Sequence, residues 1–219
     1  MARPLYIVGA GGFGREVYTY VLDVLRAPGA PEVRLAGFLD DNPHALRDHA
    51  LEVGVVGPLA GAALEPAACF VIALGDPRLR RSASLQLLDA GATEASFLTL
   101  CHPTAYVAGE LGPGCVAAPF SFVGPGARLA PHAVLNTYAS VGHDARVGAF
   151  SVFSPYAVVN GNVVVEEGVF LGTHAAVVPG KRVGAWSKLA AGAIAHTDLE
   201  PGTLALGNPA KGRVLFAPP

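Results

Sequence analysis

Apolar residues recur at every sixth position through the second half of the chain. Stepping by six from Leu111 to Ala195 meets fifteen positions, and each one carries an apolar side chain. The position four residues after each is Ala, Ser or Cys in eleven of the fourteen units that start at Cys115, and the position directly after each is often Gly or Asn. A short fixed period predicts a solenoid of stacked repeats. We expect the apolar residue to point inward, the small residue to lie at a tight bend, and Gly or Asn to adopt unusual dihedral angles at the corner.

Three such hexapeptides close one triangular coil, so residues 18 apart are expected to stack at the strand spacing of about 4.8 Å. The fifteen units then make about five coils of parallel β-structure. An ordinary β-sandwich is the alternative fold. It requires turns every 8–12 residues or so and loses its phase at each loop, which does not fit fifteen units in phase.

The first half of the chain alternates between short apolar runs and helical patterns. Apolar runs at residues 5–9, 33–39 and 68–74 predict strands. Helices are predicted after the first run, where Val17, Tyr20, Val21, Val24 and Leu25 share one face, and over residues 77–89. Alternation of this kind predicts a Rossmann-like parallel sheet with helices on its faces. The expected domains are residues 1–98, which bind a nucleotide sugar, and residues 99–219, the all-β solenoid with a C-terminal tail.

A glycine-rich loop follows the first strand. The segment Gly9-Ala10-Gly11-Gly12-Phe13-Gly14 fits the GxGxxG pattern, which lets backbone amides and a helix N-terminus approach a phosphate. Asp40 and Asp41 end the second predicted strand, where a carboxylate can bind a ribose or a base. The predicted substrate-binding residues are therefore Gly11, Gly12, Phe13, Gly14, Asp40 and Asp41. A layer this short cannot hold two mononucleotide-binding halves, so one nucleotide or nucleotide sugar is expected rather than NAD. A tight turn without a ligand is the alternative.

Composition narrows the class of protein. Fifteen basic and seventeen acidic side chains give a net charge of −2, which argues against a nucleic-acid binder. The longest uncharged stretch, residues 147–165, is interrupted by Gly, Ser, Pro and Asn, so no membrane span is expected. Three cysteines without CxxC spacing favour a reducing compartment, and the cytoplasm is the expected location.

Several motifs resemble those of one family. They are Gly-Ala-Gly-Gly-Phe-Gly-Arg-Glu at 9–16, Gly-Phe-Leu-Asp-Asp at 37–41, Ala-Leu-Gly-Asp-Pro at 73–77, His-Pro-Thr-Ala at 102–105, Leu-Asn at 135–136, Val-Gly-His-Asp at 141–144 and Gly-Asn-Pro-Ala-Lys at 207–211. The repeats resemble the hexapeptide-repeat acyltransferases, whose fold is a left-handed parallel β-helix. With the preceding layer, the chain resembles the NeuD/PglD-type sugar acetyltransferases, which include sialic acid O-acetyltransferases and N-acetyltransferases of nucleotide-linked 4-amino sugars.

The resemblance implies an activity and a set of site residues. It implies transfer of acetyl from acetyl-CoA to the amine of a nucleotide-linked 4-amino-4,6-dideoxy sugar for polysaccharide biosynthesis, in a homotrimer with active sites between subunits. His143 corresponds to the general base and Asp144 to the carboxylate that supports it. Asn136 corresponds to a substrate-side position, Gly161 to a backbone contact near the thioester, and Lys211 to a contact with the CoA phosphates. A structural cap is the equal alternative for Lys211.

The repeat spacing supports part of this assignment independently. His143 follows the inward Val141 by two residues, so we expect it outside the coil near a corner. Gly161 lies 18 residues further on and should stack one coil away, leaving room for a thioester. Asp144 can assist its neighbour only if the chain turns there, because adjacent residues of a strand point apart. Gly142 makes such a turn plausible.

Two departures from the family pattern and three other functions stay open. Phe13 stands where many relatives carry a histidine in the glycine loop, and Val152 stands where an N-acetylating relative carries a second histidine. O-acetylation of a sugar such as sialic acid, a non-catalytic β-helix binding protein, and a zinc-dependent carbonic anhydrase of the same fold are the alternatives. The last needs histidines that converge, whereas His132 and His143 differ in hexapeptide phase, so no metal is expected.

The other solenoid histidines, His102, His132, His174 and His196, are expected at the surface or at corners. The run 78–81 is expected to be a solvated helix face, and Trp186 to pack at an edge.

Overall fold

The computed structural model describes residues 2–60, 65 and 67–217. Its N-terminal part is a four-stranded parallel sheet in the order β3-β2-β1-β4. The strands are β1 (Arg3–Val8), β2 (Val33–Leu39), β3 (Val55–Gly57) and β4 (Cys69–Ile72). Helix α1 (Gly12–Arg26) follows β1 and helix α2 (Pro77–Asp89) follows β4, as the alternating pattern predicted. Asp76 caps α2 by accepting hydrogen bonds from the amides of Arg78 and Leu79. A short 3₁₀ turn (Glu94–Ser96) leads into the second part.

The second part is a left-handed parallel β-helix, in agreement with the hexapeptide period. Seventeen two-residue strands, β5 to β21, make its three faces. They are β5 (Leu100–Cys101), β6 (Tyr106–Val107), β7 (Glu110–Leu111), β8 (Val116–Ala117), β9 (Phe122–Val123), β10 (Arg128–Leu129), β11 (Val134–Leu135), β12 (Ser140–Val141), β13 (Arg146–Val147), β14 (Val152–Phe153), β15 (Val158–Val159), β16 (Val164–Val165), β17 (Phe170–Leu171), β18 (Ala176–Val177), β19 (Arg182–Val183), β20 (Lys188–Leu189) and β21 (Ile194–Ala195). Strand β22 (Thr203–Leu206) continues the stack on β20, and β23 (Lys211–Val214) pairs with it in antiparallel fashion.

Residues 18 apart are neighbours in the stack. Val141 pairs with Val159, and Leu135 pairs with Phe153. The second residue of each strand points inward, and Leu135, Val141, Phe153 and Val159 have no exposed surface. The inward side chains of successive coils therefore form one column, and this column is the core of the β-helix.

The turns between strands differ from the expectation in one respect. In the fourteen successive turns from Gly114 to Gly192, the residue three positions after the inward residue, and not the Gly or Asn directly after it, adopts a positive φ, as the third residue of a type II turn does. Nine of these residues are not glycine: Phe120, His132, Tyr138, Asp144, Phe150, Tyr156, Asn162, His174 and Trp186. The glycines directly after the inward residues serve close packing instead. A Cβ on Gly142 would lie 2.6 Å from the amide nitrogen of Gly161 in the next coil.

The outward residues give each face its own character. The docked face, which carries β5, β8, β11, β14, β17 and β20, packs its outward residues Leu100, Val116, Val134 and Val152 into the same apolar core as Leu5, Ile7, Val17 and Val21 of the N-terminal part. The apolar face presents Tyr106, Phe122, Ser140, Val158, Ala176 and Ile194 outward. The charged face presents Glu110, Arg128, Arg146, Val164 and Arg182.

Arg80 corrects the expectation that residues 78–81 form a solvated helix face. Its side chain is completely buried. Its guanidinium donates to the carbonyl oxygens of Ile72 at the end of β4, of Leu74 just after it, and of His132 in the β-helix. Burial lowers the pKa of Arg80 to about 10, so the group remains charged at neutral pH. Because acceptors come from both parts, Arg80 ties the sheet to the β-helix.

Two histidines are also more buried than expected. His102 and His132 are only 8% and 6% exposed, so neither lies at the surface, although His132 does occupy a corner of the β-helix as expected. Nε2 of His102 donates to Asp23 of α1, and Nε2 of His132 is 3.1 Å from the Ser84 hydroxyl of α2. Both side chains thus belong to the contact between the two parts. Trp186 lies at the same contact, 6% exposed, beneath the guanidinium of Arg78.

Candidate active site

His143 and Asp144 occupy the outside of one turn, at the corner between the apolar and charged faces. His143 is the second residue of the turn and Asp144 the third, with φ 58°. This positive φ brings the two adjacent side chains together, and His143 Nδ1 lies 2.9 Å from Asp144 Oδ2. A carboxylate only accepts, so Nδ1 carries the hydrogen and Nε2 presents a free lone pair. Both side chains are 61% exposed, so the imidazole is accessible from outside.

Gly161 lies beside the free nitrogen of His143. The carbonyl of His143 accepts the amide of Asn162, which places the turn of Gly161 directly in the next coil. A Cβ on Gly161 would lie only 2.3 Å from His143 Nε2. The missing side chain therefore makes the space in which the imidazole rests. The stacking of residues 143 and 161 that the period predicts is present.

A cleft of about 400 Å³ separates helix α1 from the β-helix. Helix α1 contributes Phe13, Glu16 and Tyr20. The β-helix contributes Asn136, Thr137, Val152, Ser154, Pro155 and Phe170, and Gly75 completes the lining. The predicted residues Phe13 and Asn136 thus meet in one cleft, and Val152 joins them. Phe13 and Val152 therefore face the same space.

The glycine loop has one open and one packed side. A Cβ on Gly11 would meet nothing within 4 Å, and one on Gly12 only the tip of Arg15, so the loop and the N-terminus of α1 are accessible. Gly14 differs, because a Cβ there would lie 2.0 Å from the carbonyl oxygen of Gly9. Gly14 is therefore required for packing α1 against the end of β1.

The two carboxylates after β2 have different environments. Asp40 accepts the amide of Ala10 at 2.7 Å and that of Asn42 at 2.9 Å, so it holds the glycine loop in place. Asp41 is exposed. Both line a small groove of about 140 Å³ beside Gly9. Because the Asp40 carboxylate is engaged by two backbone amides and that of Asp41 is exposed, Asp41 is the better candidate for contacting a ligand.

Lys211 is the first residue of β23 and is exposed. It pairs with Leu206, the last residue of β22, and lies beyond the last coils of the β-helix. Within one chain it is on the docked side of the stack, away from the corner that carries His143.

The candidate residues thus fall into two groups within one chain. Phe13 and Asn136 line the cleft at the corner between the docked and apolar faces, whereas His143, Asp144 and Gly161 lie at the corner between the apolar and charged faces. Asn136 and His143 nevertheless belong to the same coil, that of β11, β12 and β13. They therefore lie at the same height along the axis of the β-helix, on either side of the apolar face.

Glu16 and Tyr20 are cleft residues that the sequence did not single out as such. Tyr20 was assigned only to the buried face of α1. Its hydroxyl donates to Glu16 Oε2 at 3.4 Å, and burial, followed by the Glu16 charge, raises the pKa of Tyr20. The signal available in the sequence was their spacing of four residues, which places both on one side of α1.

No three His, Cys, Asp or Glu side chains converge as a metal site within the described ranges. Nor does any helix in the part of the chain that the structure describes have the length and apolar character to cross a membrane.

Comparisons with known proteins agree with this fold and arrangement. A family model of the PglD N-terminal domain matches residues 4–87. The GDP-perosamine N-acetyltransferase of Escherichia coli O157:H7 is 26% identical over 176 residues, which cover 80% of this chain and 77% of that protein. The crystal structure of PerB from Caulobacter crescentus, in complex with CoA and GDP-perosamine, is 31% identical with a TM-score of 0.82, and the match covers 97% of this chain and 98% of that one. The acetyltransferase domain of PglB from Neisseria gonorrhoeae FA1090, in complex with acetyl coenzyme A, is 29% identical with a TM-score of 0.83, over 96% and 99% of the two chains.

A parallel sheet joined to a hexapeptide β-helix, with an exposed histidine at a turn, defines an acyltransferase of the hexapeptide-repeat class. Within that class, the chain belongs to the NeuD/PglD-type family of sugar acetyltransferases.

Proposed function

We propose that the protein transfers acetyl from acetyl-CoA to the amine of a nucleotide-linked 4-amino-4,6-dideoxy sugar, with His143 as the general base. The observation that carries this proposal is the pairing of His143 Nδ1 with Asp144, which leaves the lone pair of Nε2 next to the backbone of Gly161. The relatives in complex with CoA and GDP-perosamine support the choice of substrates.

The proposed reaction is a direct transfer. The amine nitrogen attacks the thioester carbonyl carbon while His143 Nε2 takes the amine proton, so the new C–N bond forms as the C–S bond breaks. The imidazolium then returns the proton to the departing CoA thiolate. Asp144 holds the tautomer with hydrogen on Nδ1 and stabilises the imidazolium by its charge. The amide of Gly161 is the proposed donor to the carbonyl oxygen as negative charge develops on it.

The proposed binding sites for the two substrates use the two groups of residues. Gly11, Gly12 and the N-terminus of α1 would receive the phosphates of the acceptor, with Asp40 holding the loop and Asp41 facing the ligand. Phe13 and Asn136 belong to the same acceptor side, whereas the predicted Gly14 is buried and serves the packing of α1. Gly161 and Lys211 are assigned to acetyl-CoA.

We further propose a homotrimer in which each active site lies between two chains. A rotation axis parallel to the β-helix keeps residues at the same height, so the cleft of one chain can meet His143 of the next. The apolar face, with outward Phe122, Val158 and Ile194, is the surface available for that contact. The cytoplasmic location remains a prediction from the cysteine pattern.

The decisive experiment measures CoA thiol release with acetyl-CoA and a panel of UDP-, GDP- and dTDP-linked 4-amino sugars. His143→Ala should lower kcat by about 10²- to 10⁴-fold while CoA binding is retained. Gly161→Ala should also lower kcat, because its Cβ displaces the imidazole, without loss of folding. Full turnover of the His143→Ala enzyme would rule out the proposed base.

A mixing experiment tests the location of the site. His143→Ala and Asn136→Ala chains should each be inactive, and mixed oligomers of the two should regain activity, since some sites combine an intact cleft with an intact histidine. No recovery would place the site within one chain. O-acetylation is the second candidate function, and turnover of a hydroxyl acceptor that lacks an amine would favour it.

A further inference from the structure

The three corners of the β-helix carry three different side-chain columns. The corner between the charged and docked faces is covered by α2, against His132 and Trp186. The corner between the apolar and charged faces carries His143 and Asp144. The third corner, between the docked and apolar faces, carries a column of exposed rings. These rings take no part in the contact between the two parts of the chain or in the proposed reaction. We call this third corner the aromatic corner.

Four rings stack along the aromatic corner, one in each successive coil. The centroids of Phe120 and Tyr138 are 5.0 Å apart, those of Tyr138 and Tyr156 4.9 Å, and those of Tyr156 and His174 4.8 Å. The planes of these pairs differ by only 15°, 6° and 9°. The side chains of Phe120, Tyr138 and Tyr156 are about half exposed, at 53%, 47% and 46%. The rings thus cover one another's faces and are accessible along their edges, so a further ring could stack only at an end of the column.

The column ends in a gap of one ring. The next position is Gly192, whose amide donates to the Thr173 carbonyl and whose φ of 71° matches that of the ring-bearing positions below. A Cβ on Gly192 would meet nothing within 4 Å. The upper face of His174 is therefore open where a fifth ring would continue the stack.

Charge and distance indicate what fills this gap. The segment 207–211 follows β22 at the same corner one coil further on, where Ile194 donates to the Gly207 carbonyl, and it brings the exposed Lys211 to that end. The gap at Gly192 lies three coils above the turn of Asn136 in the cleft, which is about 14 Å at the strand spacing. A flat ring in the gap, the exposed Lys211 on the strand that follows this segment, and an extended arm leading to the cleft match the adenine, the phosphates and the pantetheine arm of acetyl-CoA.

We propose that the adenine ring of acetyl-CoA stacks on His174 in the gap that Gly192 leaves at the aromatic corner. This assignment rests on the proposed function for the identity of the donor. The acceptor nucleotide is the less fitting occupant, because the glycine loop of α1 already provides it with a phosphate site.

The test compares acetyl-CoA with acetyl-phosphopantetheine, which has the same thioester and arm but no adenine nucleotide. Stacking of a base on an aromatic side chain is worth about 1–3 kcal/mol, so His174→Ala should raise KM for acetyl-CoA by about 5- to 150-fold. KM for acetyl-phosphopantetheine and kcat should not change. His174→Tyr should restore the natural KM, since tyrosine already occupies two lower positions of the column.

Gly192→Tyr supplies an independent test, because nine turns of this β-helix already accept a side chain at positive φ. A tyrosine there should complete the column, occupy the gap and raise KM for acetyl-CoA alone. Phe120→Ala is the matched control, since it removes a ring from the opposite end and should leave both donors unaffected.

Three outcomes would overturn the assignment. They are equal effects on both donors, no effect of either variant, and an increase in KM for the nucleotide sugar instead of acetyl-CoA. Calorimetric binding of CoA and phosphopantetheine to the same variants separates this proposal from the proposed reaction. If the enzyme acetylated no amino sugar, the proposed function would fail, while a loss of CoA binding confined to the His174 and Gly192 variants would still support the stacking site.

Discussion

His132 shows how one residue of a turn can be committed to the neutral form. It is buried against Phe97 and Phe150, with Nε2 at the Ser84 hydroxyl, and its Nδ1 has no hydrogen-bond partner among the described residues. Burial, and then the charge of Arg80, lower the pKa of His132 to about 4. Protonation of this ring would place a second positive charge beside a buried guanidinium.

A dependence of stability on pH follows from that shift. Because the folded pKa lies below the unfolded value of 6.5, the unfolded chain binds more protons between pH 6.5 and 4. The contribution of His132 is complete above pH 6.5 and should fall by about 3 kcal/mol as the pH drops to 4. Urea unfolding across this range should show a shallower loss of stability for His132→Asn than for the natural chain. His44→Asn, at an exposed position, should follow the natural curve, and identical slopes for all three chains would refute the assignment.

At the scale of elements, two glycines of the same loop have different roles. Gly14→Ala places a Cβ 2.0 Å from the Gly9 carbonyl, so α1 can no longer pack against β1, and we expect loss of the folded protein or a much lower Tm. Gly11→Ala meets no atom within 4 Å and should change stability by only about 0.5 kcal/mol. It should instead raise KM for the nucleotide sugar, because the new methyl group obstructs the phosphate path. Thermal melts and acceptor titrations measure the two effects, and equal Tm losses in both variants would contradict this division.

The elements of the β-helix could be predicted because their signal is local and repeated. The six-residue period predicts the coil, and the 18-residue spacing predicts that Gly161 lies beside His143. The burial of Arg80, His102 and His132 could not be predicted in the same way, since it depends on which face the N-terminal part covers. A signal for that contact does exist in Leu100, Val116, Val134, Val152 and Phe170, which are outward positions of one face and are all apolar. The division at residues 98 and 99 and the roles of the site residues remain predictions.

At the scale of the whole molecule, the apolar face is expected to join the chains of the trimer. Val158→Asp puts a charge at the middle of that face and should yield monomers without acetyl transfer, although His143 and the cleft are intact. Val164→Asp is the matched control on the charged face, where the new carboxylate would lie between Arg146 and Arg182. Light scattering after size exclusion reports the mass, and circular dichroism confirms that both variants are folded. An active trimer of the Val158→Asp chain would exclude this face as the interface.

The docked face joins the two parts of the chain through a shared core. Leu5, Val17, Val116 and Val134 belong to a single apolar core, and Arg80 draws its acceptors from both sides of the contact. The N-terminal part, where we propose that the nucleotide sugar binds, is therefore not an exchangeable module. Exchanging it for that of a relative would bring a foreign surface onto these valines, so new acceptor preferences in this lineage should arise through point changes around the cleft rather than by shuffling of modules.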